Sequence, residues 1–248
     1  MLLLLAVAHA ENIPCTAEAS GPGWRANVSA TLTNMALTHV RQEVVVDIPA
    51  IDQGNSAYEY NGLVNRAAEP MARVRIVEEM DLNQPKRTGL TLFAPEVYSP
   101  TEALMAGLSG GSAPPPVGAL KLVAGGNTVG WYVGKVQPSP ADLPGNNVNV
   151  YVVTLGDGTA DSPEATSALD AMAASGELRV ETMVGAPDKD GKRALPLKDA
   201  PTELGGSFVI NATVLGPAML GLQGLQPQLG AQLAQGKCGD VQAGGGKK

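Results

Sequence analysis

Alternation between apolar and polar residues is clearest from Trp24 to Thr33, where Trp24, Ala26, Val28, Ala30 and Leu32 interleave with Arg25, Asn27, Ser29, Thr31 and Thr33. A period of two puts the apolar side chains on one face of a strand and leaves the other face wet. After Asn34 the apolar phase moves to Met35 and Leu37, which predicts a bulge near Asn34. Val44, Val46 and Ile48 mark a second strand that stops at Pro49. Further strands are predicted over 72–77, 89–93, 120–123, 129–133, 148–155, 178–184 and 208–215. Turn residues lie beside several of them, at Gly125-Gly126-Asn127 and Asp188-Lys189-Asp190-Gly191.

Helix patterns are fewer. Ser99-Pro100-Thr101-Glu102 has capping-box spacing with Pro at the first helical position, and Ala103, Leu104 and Met105 follow. Ser162-Pro163-Glu164 opens a second helix through Leu169 and Met172, stopped by Gly176. Leu222, Leu225, Leu229 and Leu233 share one helical face, but Gly221, Gly224, Gly230 and Pro227 predict a weak or broken helix there. Each capped helix follows a strand and precedes a similar phrase, Gly118-Ala119-Leu120-Lys121-Leu122-Val123 in one case and Gly176-Glu177-Leu178-Arg179-Val180-Glu181 in the other. A duplicated strand–helix–strand unit gives this likeness, and so do common caps and glycine-started strands arising by chance; the sequence leaves both open.

Together these elements predict a mainly β fold, an antiparallel sandwich or barrel-like domain with two or three short helices, with α+β as the alternative. Residues 11–238 are read as one β-rich domain, with a sub-boundary near 109–118 as the alternative, where three prolines run together. Residues 137–147 read as an exposed loop, and the Gly- and Lys-rich tail 239–248 as disordered.

The opening residues change the setting. Met1 to Ala10 form an apolar run that ends in Ala8-His9-Ala10 before Glu11, the form of a signal peptide cleaved after Ala10. No Lys or Arg precedes the leucines, and a buried N-terminal strand is the alternative. The run is shorter than the roughly 20 apolar residues a membrane span needs, and later apolar runs are soon broken, so no membrane span is expected. The expected location is periplasmic or secreted. There the two cysteines, Cys15 and Cys238, are expected to form one disulfide joining the chain ends, worth about 5 kcal/mol in the chain-entropy model.

Charge and composition narrow the function. With 17 basic against 24 acidic residues and a net charge of −7, the chain shows no basic stripe, so nucleic acid is not an expected partner. With His9 in the leader, His39 is the one imidazole left, which excludes multi-histidine metal sites on that premise. No Cys-x-x-Cys, P-loop or Gly-x-Ser-x-Gly occurs, so no catalytic residue, metal or cofactor is assigned. Carboxylate pairs leave no spacing signature. Glu78, Glu79 and Asp81, and also Asp157 and Asp161, read as solvated acids. The Asp157–Asp161 and Asp188–Gly191 loops read as turns, without the distant Glu a calcium loop needs.

Tyr58 and Tyr60, two apart on one side of a strand-like stretch, are the candidate binding surface, whereas Trp24 and Trp131 read as core. Asn27-Val28-Ser29 and Asn211-Ala212-Thr213 are glycosylation sequons that matter only in a eukaryotic secretory pathway. The expectation is an exported, noncatalytic binding or envelope/surface-assembly module with a protein or glycan partner. The alternatives are a carboxylate-based hydrolase acting on glycans and a self-assembling subunit of a coat or filament, that is, a homo-oligomer.

Overall fold

A computed structural model describes residues 13–33, 36–50, 70–95, 118–145, 149–185 and 195–235. β1 (Ile13–Gly21), β2 (Trp24–Thr33), β3 (Ala36–Pro49), β4 (Met71–Asp81) and β5 (Arg87–Pro95) pair in sequence as an antiparallel meander. After β6 (Gly118–Ala124), β7 (Asn127–Val133) and β8 (Lys135–Pro138), β9 (Asn149–Thr154) inserts between β5 and β8, completing a seven-stranded sheet ordered β1-β2-β3-β4-β5-β9-β8. β10 (Glu177–Gly185) and β11 (Thr202–Asn211) join β6 and β7 in a four-stranded antiparallel sheet ordered β11-β10-β6-β7. Helix α1 (Pro163–Ser175) lies between β9 and β10, and α2 (Ala212–Ala234) follows β11. The fold is therefore mainly β, with two antiparallel sheets and two helices among the described residues.

One buried cluster runs through both sheets and both helices. Val28, Val44, Val46, Val74, Leu90, Leu92 and Val153 line the inner face of the large sheet. Leu120, Leu122, Leu178, Val180, Phe208 and Ile210 come from the small one. Each fully buried aliphatic side chain contributes about 1.5–3 kcal/mol. Tyr151 on β9, wholly buried, ties the sheets together: a Cβ on Gly118 of β6 would meet its ring at 2.7 Å, and one on Gly134 would meet its Cβ at 2.9 Å. Gly134 is where the chain leaves β7 in the small sheet for β8 in the large one, and only hydrogen fits there.

The two similar phrases lie on paired strands. Leu122 stands opposite Val180 where β6 pairs with β10, and these are corresponding residues of the two similar phrases. Upstream, Leu90-Thr91-Leu92 and Val153-Thr154-Leu155 precede the Ser-Pro pairs, Ser99-Pro100 and Ser162-Pro163, at the same interval. Thr91 and Thr154 in turn stand opposite each other where β5 pairs with β9. Any antiparallel pairing has a point where matched positions cross, so the registers leave duplication and chance both open.

Several expectations are corrected. The bulge expected near Asn34 falls outside the described residues; β2 and β3 pair antiparallel as far as Thr33 and Ala36, with a register irregularity between Thr31 and Leu32. The strand expected over 208–215 ends at Asn211 and the chain turns helical at Ala212. The helix expected to be weak or broken is one continuous element of 23 residues, with Pro217 and Pro227 inside it. Packing decides that outcome: Leu215, Ala218, Leu222, Leu225 and Leu229 are buried against β1, β2 and β3. Part of the 137–147 loop pairs as the end of β8, and Leu143 within it is buried. The capped segment after Ser99, the sub-boundary near 109–118, the Asp188–Gly191 turn, the leader and the tail lie outside the described residues.

Candidate binding crevice

α2 covers the inner face of β1 to β3, while α1 sits over β5 and the small sheet. Between the two helices the inner face of β3 and β4 is left partly uncovered. The gap is an apolar crevice of about 470 Å³. Val44 and Ile76 lie on its sheet side, Leu169 and Met172 of α1 on one flank, Leu215 and Met219 of α2 on the other. Gln42 and Glu78, cross-strand partners on β3 and β4, are its polar lining groups. Lys86 donates to Glu78 Oε1 at 2.6 Å. Gly216 of α2 also lines the crevice, and a Cβ built there meets nothing within 4 Å.

Local chemistry fixes both flanks. Ser162 Oγ caps α1 by accepting from the Ala165 N–H at 3.3 Å and donates to the Leu155 carbonyl at 2.6 Å. Gly176 ends the helix in the left-handed region at φ 83, its N–H bonded to the Met172 carbonyl. At the head of α2, Asn211 Oδ1 accepts from the N–H groups of Thr213 and Val214.

The outer face of the large sheet has a different character. Arg73, 3% exposed, holds both carboxylate oxygens of Asp47 with Nε and Nη2 and also grips Asp142 through its side chain and its carbonyl. Burial disfavours the Arg73 charge, but the hydrogen bonds it donates to Asp47 and Asp142 outweigh it and hold the proton more firmly than in a free arginine. Arg25 adds a second contact to Asp142 at 2.6 Å. Glu79 is buried between Arg41 and Arg87. Burial would raise the Glu43 carboxyl, yet the hydrogen bond and charge of Arg75 leave it below the ordinary value.

The residues singled out in the sequence fall in different places. His39 Nδ1 lies 2.7 Å from Asp81 Oδ1, and Asp81 also pairs with Arg87. The His39 hydrogen bond, then that of Arg87, holds the Asp81 carboxyl below the usual range. Asp157 accepts from Thr159 through both N–H and Oγ, a local turn that lowers its proton affinity. Asn27, on the polar face of β2, donates to Glu18 at 3.0 Å. Asn211 serves as the α2 cap. Trp131 is half-buried and donates to the Pro196 carbonyl, while Trp24 packs at the core margin against Gly21 and Gly221.

Cys15 is buried on β1; Cys238, Tyr58 and Tyr60 lie outside the described residues. Among the described residues no cluster of His, Cys, Asp and Glu could hold a metal ion, and no helix is long and apolar enough to cross a membrane.

The crevice was not anticipated, because its lining comes from four separate elements and each residue taken alone reads as ordinary core. Unanticipated too were the arginine contacts of the outer face, although Arg73 and Arg75, alternating with Ala72, Val74 and Ile76, were a visible signal. No family model, curated protein or solved structure matches the chain.

Proposed function

We propose that the protein is an exported, noncatalytic binding module whose ligand is apolar and sits in the crevice between α1 and α2. The crevice carries this reading. Its volume falls in the range of small-molecule sites, and its composition, mostly apolar with a few polar groups, is theirs as well. Against the hydrolase alternative, four carboxyls among the described residues, Glu43, Asp81, Asp142 and Asp157, are held below their ordinary values by arginine or hydrogen-bond partners, whereas a general acid needs a raised one.

Export rests on the leader-like opening residues. A Cys15–Cys238 disulfide fits that setting, and it is supported by the course of α2, which packs on β1 and ends at Ala234, shortly before Cys238.

The uncharged probe N-phenyl-1-naphthylamine tests the reading. It should bind saturably to the wild-type protein, and Gly216→Leu, which extends a side chain into the open crevice, should weaken binding about tenfold or more, the equivalent of 1.4 kcal/mol. The melting temperature should not fall, since leucine is the better helix former. Binding that never saturates, or that Gly216→Leu leaves unchanged, would defeat the proposal.

A further inference from the structure

The crevice between α1 and α2 has a polar end. Val44 on β3 stands opposite Ile76 on β4, and one step along the same face Gln42 stands opposite Glu78. Val40 and Met80, the next pair out, no longer line the crevice, and Met80 is exposed. Polar side chains are thus confined to one row, at the end of an otherwise aliphatic wall.

That row has open bonding positions. Glu78 accepts from Lys86 through Oε1, and among the described residues nothing bonds its Oε2 or the Gln42 amide. Charge then selects the head group of a ligand. Lys86 already balances Glu78, and neither α1 nor α2 contributes a Lys, Arg or His, so an anionic head would face the Glu78 carboxylate with no cation of its own. A cationic head would share that carboxylate with the Lys86 ammonium. A hydroxyl suits both open positions, because it can donate to Glu78 Oε2 and accept from the Gln42 amide.

The walls select the body. Leu169, Met172, Leu215, Met219 and Leu222 offer no ring on which a flat ligand would stack, and the two methionines adapt to a flexible chain. We propose that the ligand is an uncharged aliphatic amphiphile with a hydroxyl head, its chain between the helices and its hydroxyl on Gln42 and Glu78. The assignment rests on the crevice being a ligand site and adds the chemistry that the site takes.

Displacement of bound N-phenyl-1-naphthylamine from the full chain by 1-decanol, decanoate and decylammonium tests it. 1-Decanol should compete at a concentration about tenfold or more below that of either charged chain. Gln42→Leu separates a built head site from general apolarity, because leucine makes the lining more apolar. The variant should bind the naphthylamine more tightly and 1-decanol about tenfold more weakly, two shifts of opposite sign. A charged chain that competes as well as 1-decanol would overturn the proposal, as would a Gln42→Leu protein that holds 1-decanol as tightly as the wild type does. A wild type that binds the naphthylamine saturably and shows either of those results defeats the head-group assignment alone. One that never saturates defeats the crevice as a ligand site, and the assignment with it.

Discussion

Helices α1 and α2 reach the same end by opposite routes. α1 has Ser162 as cap, Pro163 in its first turn, Glu164 beside it, and Gly176 as a left-handed stop. α2 has prolines at 217 and 227 and four glycines, and on propensity alone should not persist for 23 residues. It persists because the leucine stripe is buried on β1 to β3, so its stability is tertiary. A helix written in caps is local information; one written in a leucine stripe needs its sheet to be understood.

The contrast can be broken most sharply at Leu225, 1% exposed in the middle of the α2 stripe. Leu225→Ala should cost about 2–5 kcal/mol in urea denaturation, and the loss should come with reduced helical circular dichroism if α2 depends on the sheet.

A smaller test compares two glycines on α2. The indole of Trp24 lies where a Cβ on Gly221 would go, whereas one on Gly224 meets nothing. Gly221→Ala should therefore destabilise by about 1–3 kcal/mol, and Gly224→Ala should stabilise by about 0.5–1 kcal/mol. Equal effects would mean that propensity rules α2 after all. Finally, Ser162→Ala should cost about 1 kcal/mol, with the loss coming from α1 and its junction with Leu155. Amide exchange that speeds up in α2 and not in α1 would contradict the division.

What the sequence made legible follows the same line. Strands with strong period-two patterning, such as β2 and the Val44–Ile48 part of β3, are visible because the alternation of Val and Leu with polar residues is itself the signal. β1 was missed because its inward residues, Cys15, Ala17 and Ala19, are too small to stand out beside Thr16 and Ser20. The start of α2 was hidden by Phe208, Ile210, Ala212 and Val214, which prolong a period of two beyond the strand. Asn211 drew notice as a sequon although its position before Ala-Thr-Val-Leu also suits a helix cap. Duplication could be suspected from the paired phrases, but only strand register could set Leu122 against Val180. The crevice had no local signature, since it is a gap between elements distant in sequence.

Arg73 has a consequence for drift. One guanidinium serves Asp47 on β3 and Asp142 in the link between β8 and β9, engaging the first with two nitrogens and the second with side-chain and carbonyl contacts together. Lysine, a point charge on a flexible stem, cannot reproduce that fork. In divergent relatives positions 47, 73 and 142 should therefore co-vary as a triplet, which would make the trio a marker for recognising kin when the remainder of the chain has changed.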